Sequence, residues 1–353
     1  MLSRGTRRSP VIGAVLPLLI LLILAGGMAA CSTTETAGPR TEHVATVFAR
    51  EVSYTAWSAA IPVEQIPGTS TAFNSVSLDG CPFISPDGKK FFMASNRPGG
   101  QGGIDIWVAT REKVGDPWGE PVNVGAPVNS AANDFCPTMA RDGHTFFFVS
   151  NRTGAGTCGG DDIYVTRLDD EGTFETPSNL GCAVNSAGNE AGPFPLTEPG
   201  SGPVLYFSSN RAGGFSTEAP GAVTGDADIY RSEWKGGSYG SATLVAGVNT
   251  AANEIQPNLQ RDGVEMYFAS NRSGVAGVTG TLGGNDIFVA TRASAHDEWR
   301  TPTNLGSSVN SSTGDETRPS LSWDALTLYF GSSRPGGEGA SDIYVTTRER
   351  SGN

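Results

Sequence analysis

Histidine is nearly absent from these 353 residues, with His43, His144 and His296 the only copies. A Ser-His-Asp relay needs a positioned imidazole, so nucleophilic catalysis of that kind has little to build on. Cysteine and histidine are not spaced as a zinc site, and the glycine runs precede strands rather than helices, which excludes a phosphate-binding loop. Cations are also scarce: 24 Lys and Arg face 36 Asp and Glu, for a net charge of −12. Without clustered Lys and Arg there is nothing to neutralise a phosphate backbone, so no nucleic-acid partner is expected. Beyond residue 31 no segment sustains a long 3.6-residue apolar period, which leaves no role for long helices. What the chain has in quantity is glycine (47) and proline (22) within an ordinarily hydrophobic composition. That mixture predicts short strands separated by many tight turns, an all-β protein.

One long hydrophobic run exists, at the N-terminus. "MLSRGTRRSP" carries three arginines and no acid, and "VIGAVLPLLILLILAGGMAA" follows it, so residues 1–30 read as an export signal rather than as part of the fold. Its end, Met28-Ala29-Ala30-Cys31, resembles the lipobox of bacterial lipoproteins. That resemblance implies cleavage before Cys31 and a lipid on its thiol, and the following Ser32 implies sorting to an outer membrane where the cell has one. The competing reading is an uncleaved anchor, because twenty apolar residues can just span a bilayer. Loss of residues 1–30 would leave 323 residues with a charge of −15. The stretch "STTETAGPRTEH" has no apolar periodicity and reads as a polar tether, so the expected organisation is signal 1–30, lipidated tether 31–43 and a folded domain over 44–353.

Internal repeats define that domain. "SNR" or "SSR" places Arg97, Arg152, Arg211, Arg272 and Arg334 in register, and a "DI-aromatic" step follows at Asp105, Asp162, Asp228, Asp286 and Asp342. A third signal, an aromatic residue followed by "VNS" or a close variant, begins at Trp118, Phe174, Tyr239 and Trp299, four copies instead of five. The fifth stands at the other end of the chain, where Trp57 and Asn74 precede Trp118 and Asn129 by 61 and 55 residues. Each period predicts four short strands: in the first copy, A at about 82–85, B at about 90–94, C at about 105–110 and D at about 118–124. "PDG" and "RDG" at Asp87, Asp142 and Asp262 supply turns between A and B. Four-stranded antiparallel sheets repeated around an axis make a propeller. The expectation is a five-bladed β-propeller whose last blade borrows its outer strand from the segment near Trp57.

"SPDGKKFFMASNRPGGQGGIDIWVATR" is similar to the WD-forty-like repeat of the TolB-like superfamily, and the similarity runs through all five copies over residues 74–348. The third copy departs most, because "LTEPGSGPV" replaces the Asp-Gly turn. The resemblance implies a propeller and, for function, an extracytoplasmic binding or scaffolding module; a shared fold does not by itself fix a site.

Several residue series are candidates for chemistry. Each repeat arginine is expected to pair with the DI aspartate that follows it, as a structural brace. The aromatics Trp57, Trp118, Phe174, Tyr239 and Trp299 are expected to pack between blades rather than to form a sugar-stacking belt. A second acidic series, Asp79, Asp134, Glu190, Glu254 and Glu316, stands three residues before the proline of each strand A. Strand A is innermost in a propeller, so these five carboxylates are expected at the channel mouth, raising one another's pKa or recruiting a cation such as calcium; no other cofactor is expected. The plainer alternative is a turn acid that accepts backbone N–H bonds. A sialidase-type Asp box is excluded, because Ser85-Pro86-Asp87-Gly88 brings its glycine one position early.

Export makes disulfides the default for Cys81, Cys136, Cys158 and Cys182, and three pairings are open. Cys81 and Cys136 occupy equivalent positions on neighbouring inner strands, which favours their bridge and leaves Cys158 to Cys182. The functional expectation is a monomeric, membrane-anchored envelope module that binds a protein or a glycan from the periplasmic side of the outer membrane or the outer face of the cytoplasmic membrane. The alternative is a five-bladed glycoside hydrolase using channel carboxylates, against which stands the uniformity of the five acids, since acid and base need unlike environments. The steps from repeat arginine to DI aspartate are 8, 10, 17, 14 and 8 residues. Long loops carry recognition, so the expected contact surface is 212–227 and 273–285 beside Glu190 and Glu254.

Overall fold

Alternating apolar runs and glycine turns fold each repeat into an antiparallel sheet whose strands are ordered A, B, C, D from the axis outward. The computed structural model describes residues 53–154, 156–215 and 226–351. The expected signal, Cys31 and the tether lie outside the described residues, as do 216–225. The inner strands A are Asp79–Ile84, Asp134–Met139, Glu190–Glu198, Glu254–Leu259 and Glu316–Leu321. Strands B are Lys90–Ser95, Thr145–Ser150, Gly202–Ser209, Glu265–Ser270 and Thr327–Ser332. They carry continuous apolar runs such as "FFMA" and "FFFV" because both of their faces are covered by neighbouring blades. Strands C are Asp105–Thr110, Asp162–Arg167, Asp228–Lys235, Asp286–Thr291 and Asp342–Thr347.

The outer strands D are shorter than expected, two residues each: Val122–Asn123, Ser178–Asn179, Thr243–Leu244, Thr303–Asn304 and Ile61–Pro62. A side chain does the rest of their work. The "VNS" asparagine turns inward and its amide both donates to and accepts from one strand-C residue, imitating a further strand. Asn129 does so with Ile106, Asn185 with Ile163, Asn249 with Ile229 and Asn310 with Ile287. In the last blade the asparagine is Asn74, bonded to Ile343 from 269 residues away. Ile61–Pro62 pairs with Val345 and Tyr344, so the five-bladed ring is closed by the N-terminal segment as the phrase order requires. Ser53–Tyr54 adds a second contact by pairing with Arg350–Ser351.

Every strand A carries a bulge, at Gly80/Phe83, Phe135/Thr138, Ala191/Phe194, Ile255/Asn258 and Thr317/Ser320. The residue inside each bulge has left-handed backbone: Cys81, Cys136, Gly192, Gln256 and Arg318. This extra residue bends the strand and aims the belt at the axis. Cys81 bridges Cys136 across neighbouring inner strands, Cα to Cα 4.7 Å, and Cys158, in the B–C loop of blade two, bridges Cys182 in the link after its strand D. By loop-closure entropy a bridge spanning 55 residues contributes about 4 kcal/mol. Two disulfides place the folded domain in an oxidising, extracytoplasmic compartment.

Blade three differs from the rest. Its "LTEPGSGPV" hairpin lengthens A and B, its strand C runs on to Lys235, and an additional pairing of Ser238–Tyr239 with Trp234 and Lys235 makes a ledge that stands out from the face bearing the A–B turns.

Candidate functional site

The five inner acids do not form an open ring. Each carboxylate is fully buried and held by the arginine of its own repeat: Arg97 to Asp79 at 2.6 Å, Arg152 to Asp134 at 2.6 Å, Arg211 to Glu190 at 3.0 Å, Arg272 to Glu254 at 3.1 Å and Arg334 to Glu316 at 3.0 Å. The arginine thus leans inward to strand A, and the expected pairing with the DI aspartate is corrected. Each acid also accepts the backbone N–H of Ser75, Ser130, Ser186, Thr250 or Ser311 in the preceding link. Each arginine reaches a link carbonyl, at Phe73, Val128, Val184, Val248 or Val309. The plain turn-acid reading therefore holds, with a guanidinium added. Among the described residues no group of three or more His, Cys, Asp and Glu side chains is arranged to hold a metal ion, so the cation expected at these acids has no cage.

Burial pushes the Glu254 carboxyl up against the pull of Arg272, and it pushes Glu316 up against hydrogen bonds from Ser311 and Ser332 and the charge of Arg334. A raised carboxyl is what a general acid requires, but both side chains are sealed from solvent and cannot touch a sugar.

The DI aspartates close the B–C loops instead. Asp105 accepts from Gln101 N and Asn123 Nδ2, Asp162 from Cys158 N and Asn179 Nδ2, and Asp286 from Leu282 N and Asn304 Nδ2. The repeat aromatics are packing residues, as expected. Arg111 stacks on Trp118 at 4.0 Å, Arg292 on Trp299 at 4.2 Å and Arg348 on Trp57 at 4.6 Å, each arginine also donating to the A–B turn carbonyl of Gly88, Gly263 or Ala325. Arg292 and Arg348 continue to Glu198 and Glu265 of the preceding blade, so these carboxylates are inter-blade ties.

The channel itself is nearly closed. At the bulge belt only about 30 Å³ remains free, bounded by the Cys81–Cys136 bridge, Gln256, Arg318 and the five prolines, and no carboxylate lines it.

Four clefts of 460, 350, 470 and 330 Å³ open on the face made by the A–B turns and C–D connections. The expected surface was the opposite face. There, the loop over 273–285 is occupied with itself and with its own blade: Gly277 N, Val278 N and Gly280 N bond within the loop, and Asn304 N donates to Val278 O at 2.7 Å. Of the other expected loop only 212–215 and 226–227 are described.

One of the 460 and 470 Å³ clefts is set apart by its lining. The 460 Å³ groove starts beneath the axis, where the turns of blades two, four and five bring Arg141, Arg261 and Trp323 together, and runs outward between blades two and three over Phe147, Leu196 and Tyr239 to Trp234. Trp323 is fixed by its Nε1 donating to Ile84 O at 3.3 Å. Trp234 is 43% exposed and stands edge-on to Tyr239 at 5.1 Å, with Phe147 behind at 6.3 Å. Burial, then the charge of Asp142, pushes the Tyr239 hydroxyl up to about 12. Arg141, Arg167 and Arg261 line the groove, and none of them forms an ion pair with a described carboxylate. The groove's acid is Asp142. Partial burial raises it, but Thr145 Oγ1, Thr145 N and His144 N donate to it and hold it below the ordinary carboxylate value. It is an ionised turn residue, unsuited to donate a proton at neutral pH.

The sequence carried a signal for this groove: the third repeat breaks its pattern at the A–B turn and again at "EWKGGSY", on one face of one blade. Loop length alone pointed to the other face.

No protein-family model matches the chain, and no curated protein matches it. Solved structures do resemble it. A thermostable family-43 glycoside hydrolase aligns with a TM-score of 0.51 at 10% identity over 80% of this chain and 92% of that one. An alpha-L-arabinofuranosidase from Podospora anserina in complex with cellotriose aligns with a TM-score of 0.50 at 11% identity over 84% and 98%. A putative TolB from Agrobacterium tumefaciens gives 0.45 at 13% identity over 85% and 100%. At these identities the hydrolases share the propeller fold with this chain.

Proposed function

We propose that this protein is an extracytoplasmic binding module that holds acidic polysaccharide in the groove between blades two and three, tethered to the envelope membrane by a lipid on Cys31. Support for the ligand class is the lining of the groove. Trp234 and Trp323 offer flat apolar faces of the kind on which pyranose rings stack, and three arginines, of which Arg167 acts on the nearby Asp142 and none forms an ion pair with a described carboxylate, are matched to a ligand that brings its own negative charge. In a chain of net charge −12 such a concentration of cations is local and directed.

The glycoside-hydrolase reading has the fold in its favour and the site chemistry against it. Glycosidic hydrolysis uses two carboxyls separated by roughly 5–10 Å across the bond. The belt has none, the inner five are buried in ion pairs, and the groove has Asp142, engaged by three donors. In the 470 Å³ cleft Glu198 and Glu233 are held by Arg231, Arg292 and Lys235, which leaves the exposed Asp297 and Glu298 there and the acids of the 330 Å³ cleft as candidates.

Titration of the purified protein with uronate-bearing and neutral polysaccharides should show binding of the acidic ones, weakening as salt rises. Trp234→Ala should weaken binding about 10–30-fold, and Arg141→Gln with Arg261→Gln should remove the preference for acid, with melting temperatures unchanged. Release of reducing ends from any of these polymers would refute the binding reading in favour of the hydrolase. Capture of acidic peptides with no response to polysaccharides would refute the glycan assignment.

For the anchor, cells fed a clickable fatty acid should label the wild-type protein and leave Cys31→Ala unlabelled. Equal labelling of the two would remove the lipid from the account.

A further inference from the structure

The braces keep five-fold symmetry, whereas the belt at the channel's narrowest point abandons it. Its five equivalent positions, at φ of 47, 48, 55, 57 and 57°, hold Cys81, Cys136, Gly192, Gln256 and Arg318. Two are consumed by the disulfide. The remaining residues are fitted to one another by glycine. A Cβ on Gly192 would lie 2.6 Å from the Gln256 Cα, and a Cβ on Gly80 would lie 3.1 Å from the Arg318 Nη1, so Arg318 extends across strand A of blade one through space that the missing side chain leaves. Gln256 Oε1 accepts from Arg318 N at 3.0 Å, which leaves the Gln256 amide nitrogen as a donor.

The Arg318 guanidinium is poorly satisfied. Its Nη1 reaches Thr317 Oγ1 at 3.4 Å, its buried Nε has no partner, and no described carboxylate pairs with it. The buried arginines of the blades, Arg272, Arg292 and Arg348, each have a carboxylate, whereas the half-buried Arg318 has none among the described residues. A guanidinium does not shed its proton, so one that lies partly withdrawn from water, with its buried Nε unpartnered, is matched to a counter-charge. Partial desolvation also disfavours the charged form of Arg318, with no opposing group beside it. The space next to it, about 30 Å³, suits a single small ion, and the proline nitrogens around it have no hydrogen to donate.

We propose that the belt is a binding site for one halide-sized anion, held by the Arg318 guanidinium and the Gln256 amide. The proposal is independent of the groove.

Crystals of the protein soaked in sodium bromide test it by anomalous scattering. The expected result is a bromide peak on the axis in contact with Arg318, and loss of that peak in Arg318→Gln. In solution the wild type should melt roughly 2–4 °C higher in chloride than in gluconate of equal ionic strength, and Arg318→Gln should not discriminate. Water at the belt with bromide confined to the surface overturns the proposal, as does a belt peak that persists in Arg318→Gln. Should that variant fail to fold, the presence or absence of the wild-type belt peak decides.

Discussion

A protein lacking residues 32–73 is expected to lose its cooperative melting transition and to associate, while one lacking only residues 32–43 melts as the full chain does. The longer deletion takes Ile61–Pro62, the outer strand of the last blade, and with it Trp57, Val63 and Phe73. Val63 and Phe73 are completely buried in the cluster that joins the last blade to the first, against Phe91, Trp118, Tyr329 and Ile343. Truncating one buried Phe costs about 3–5 kcal/mol, and a whole domain is stable by only about 5–15, so losing both residues and a strand exceeds what the fold can absorb. The exposed strand Asp342–Thr347 would also become a free edge for other chains. Thermal unfolding followed by circular dichroism, with size-exclusion chromatography, reads both effects. Equal melting of the two deletions would mean that the ring is not closed by this segment.

The second large effect is expected at a brace. Arg272→Met leaves Glu254 as a charge with 0% exposure, its guanidinium partner gone and Thr250 and Ser270 as its remaining donors. Removing one member of a buried ion pair costs about 3–5 kcal/mol, chiefly because the other is stranded. For a domain of this size that corresponds to a fall of roughly 6–20 °C in melting temperature. Arg272→Met combined with Glu254→Met should recover much of the loss, because no charge is then buried alone. Polysaccharide binding should be unaffected in whatever fraction remains folded. A single variant that melts within a degree of the wild type would show that the brace is not structural.

The repeat was legible because its phrases bind to themselves. "SNR", "DI-aromatic" and "VNS" recur with the hydrogen bonds they make, which is why Asn74 could be assigned to a blade written 269 residues later. The direction of each arginine was not legible. Asp79, Ser95 and Asp105 lie side by side across strands A, B and C, so an arginine two residues beyond Ser95 stands beside both acids in register, and Asp105 is the nearer of the two in sequence. The link carbonyl of Phe73 and the nearly closed interior decide for Asp79, leaving Asp105 to the loop amides. The Cys81–Cys136 bridge could be assigned because equivalence in the repeat implied nearness on the axis. The groove could not, because it joins turns from four blades, and the arginines that make it distinctive, Arg141 and Arg261, sit in "RDG" turns that look like ordinary scaffold.

Hydrogen exchange with and without a uronate-rich oligosaccharide reports which face of the propeller the ligand covers. Slowed exchange is expected in the A–B turns around 140–145 and 195–203, in the 234–239 ledge and near Trp323, with the B–C loops unchanged. Protection confined to 212–227 and 273–285 would place the ligand on the opposite face and contradict the groove assignment.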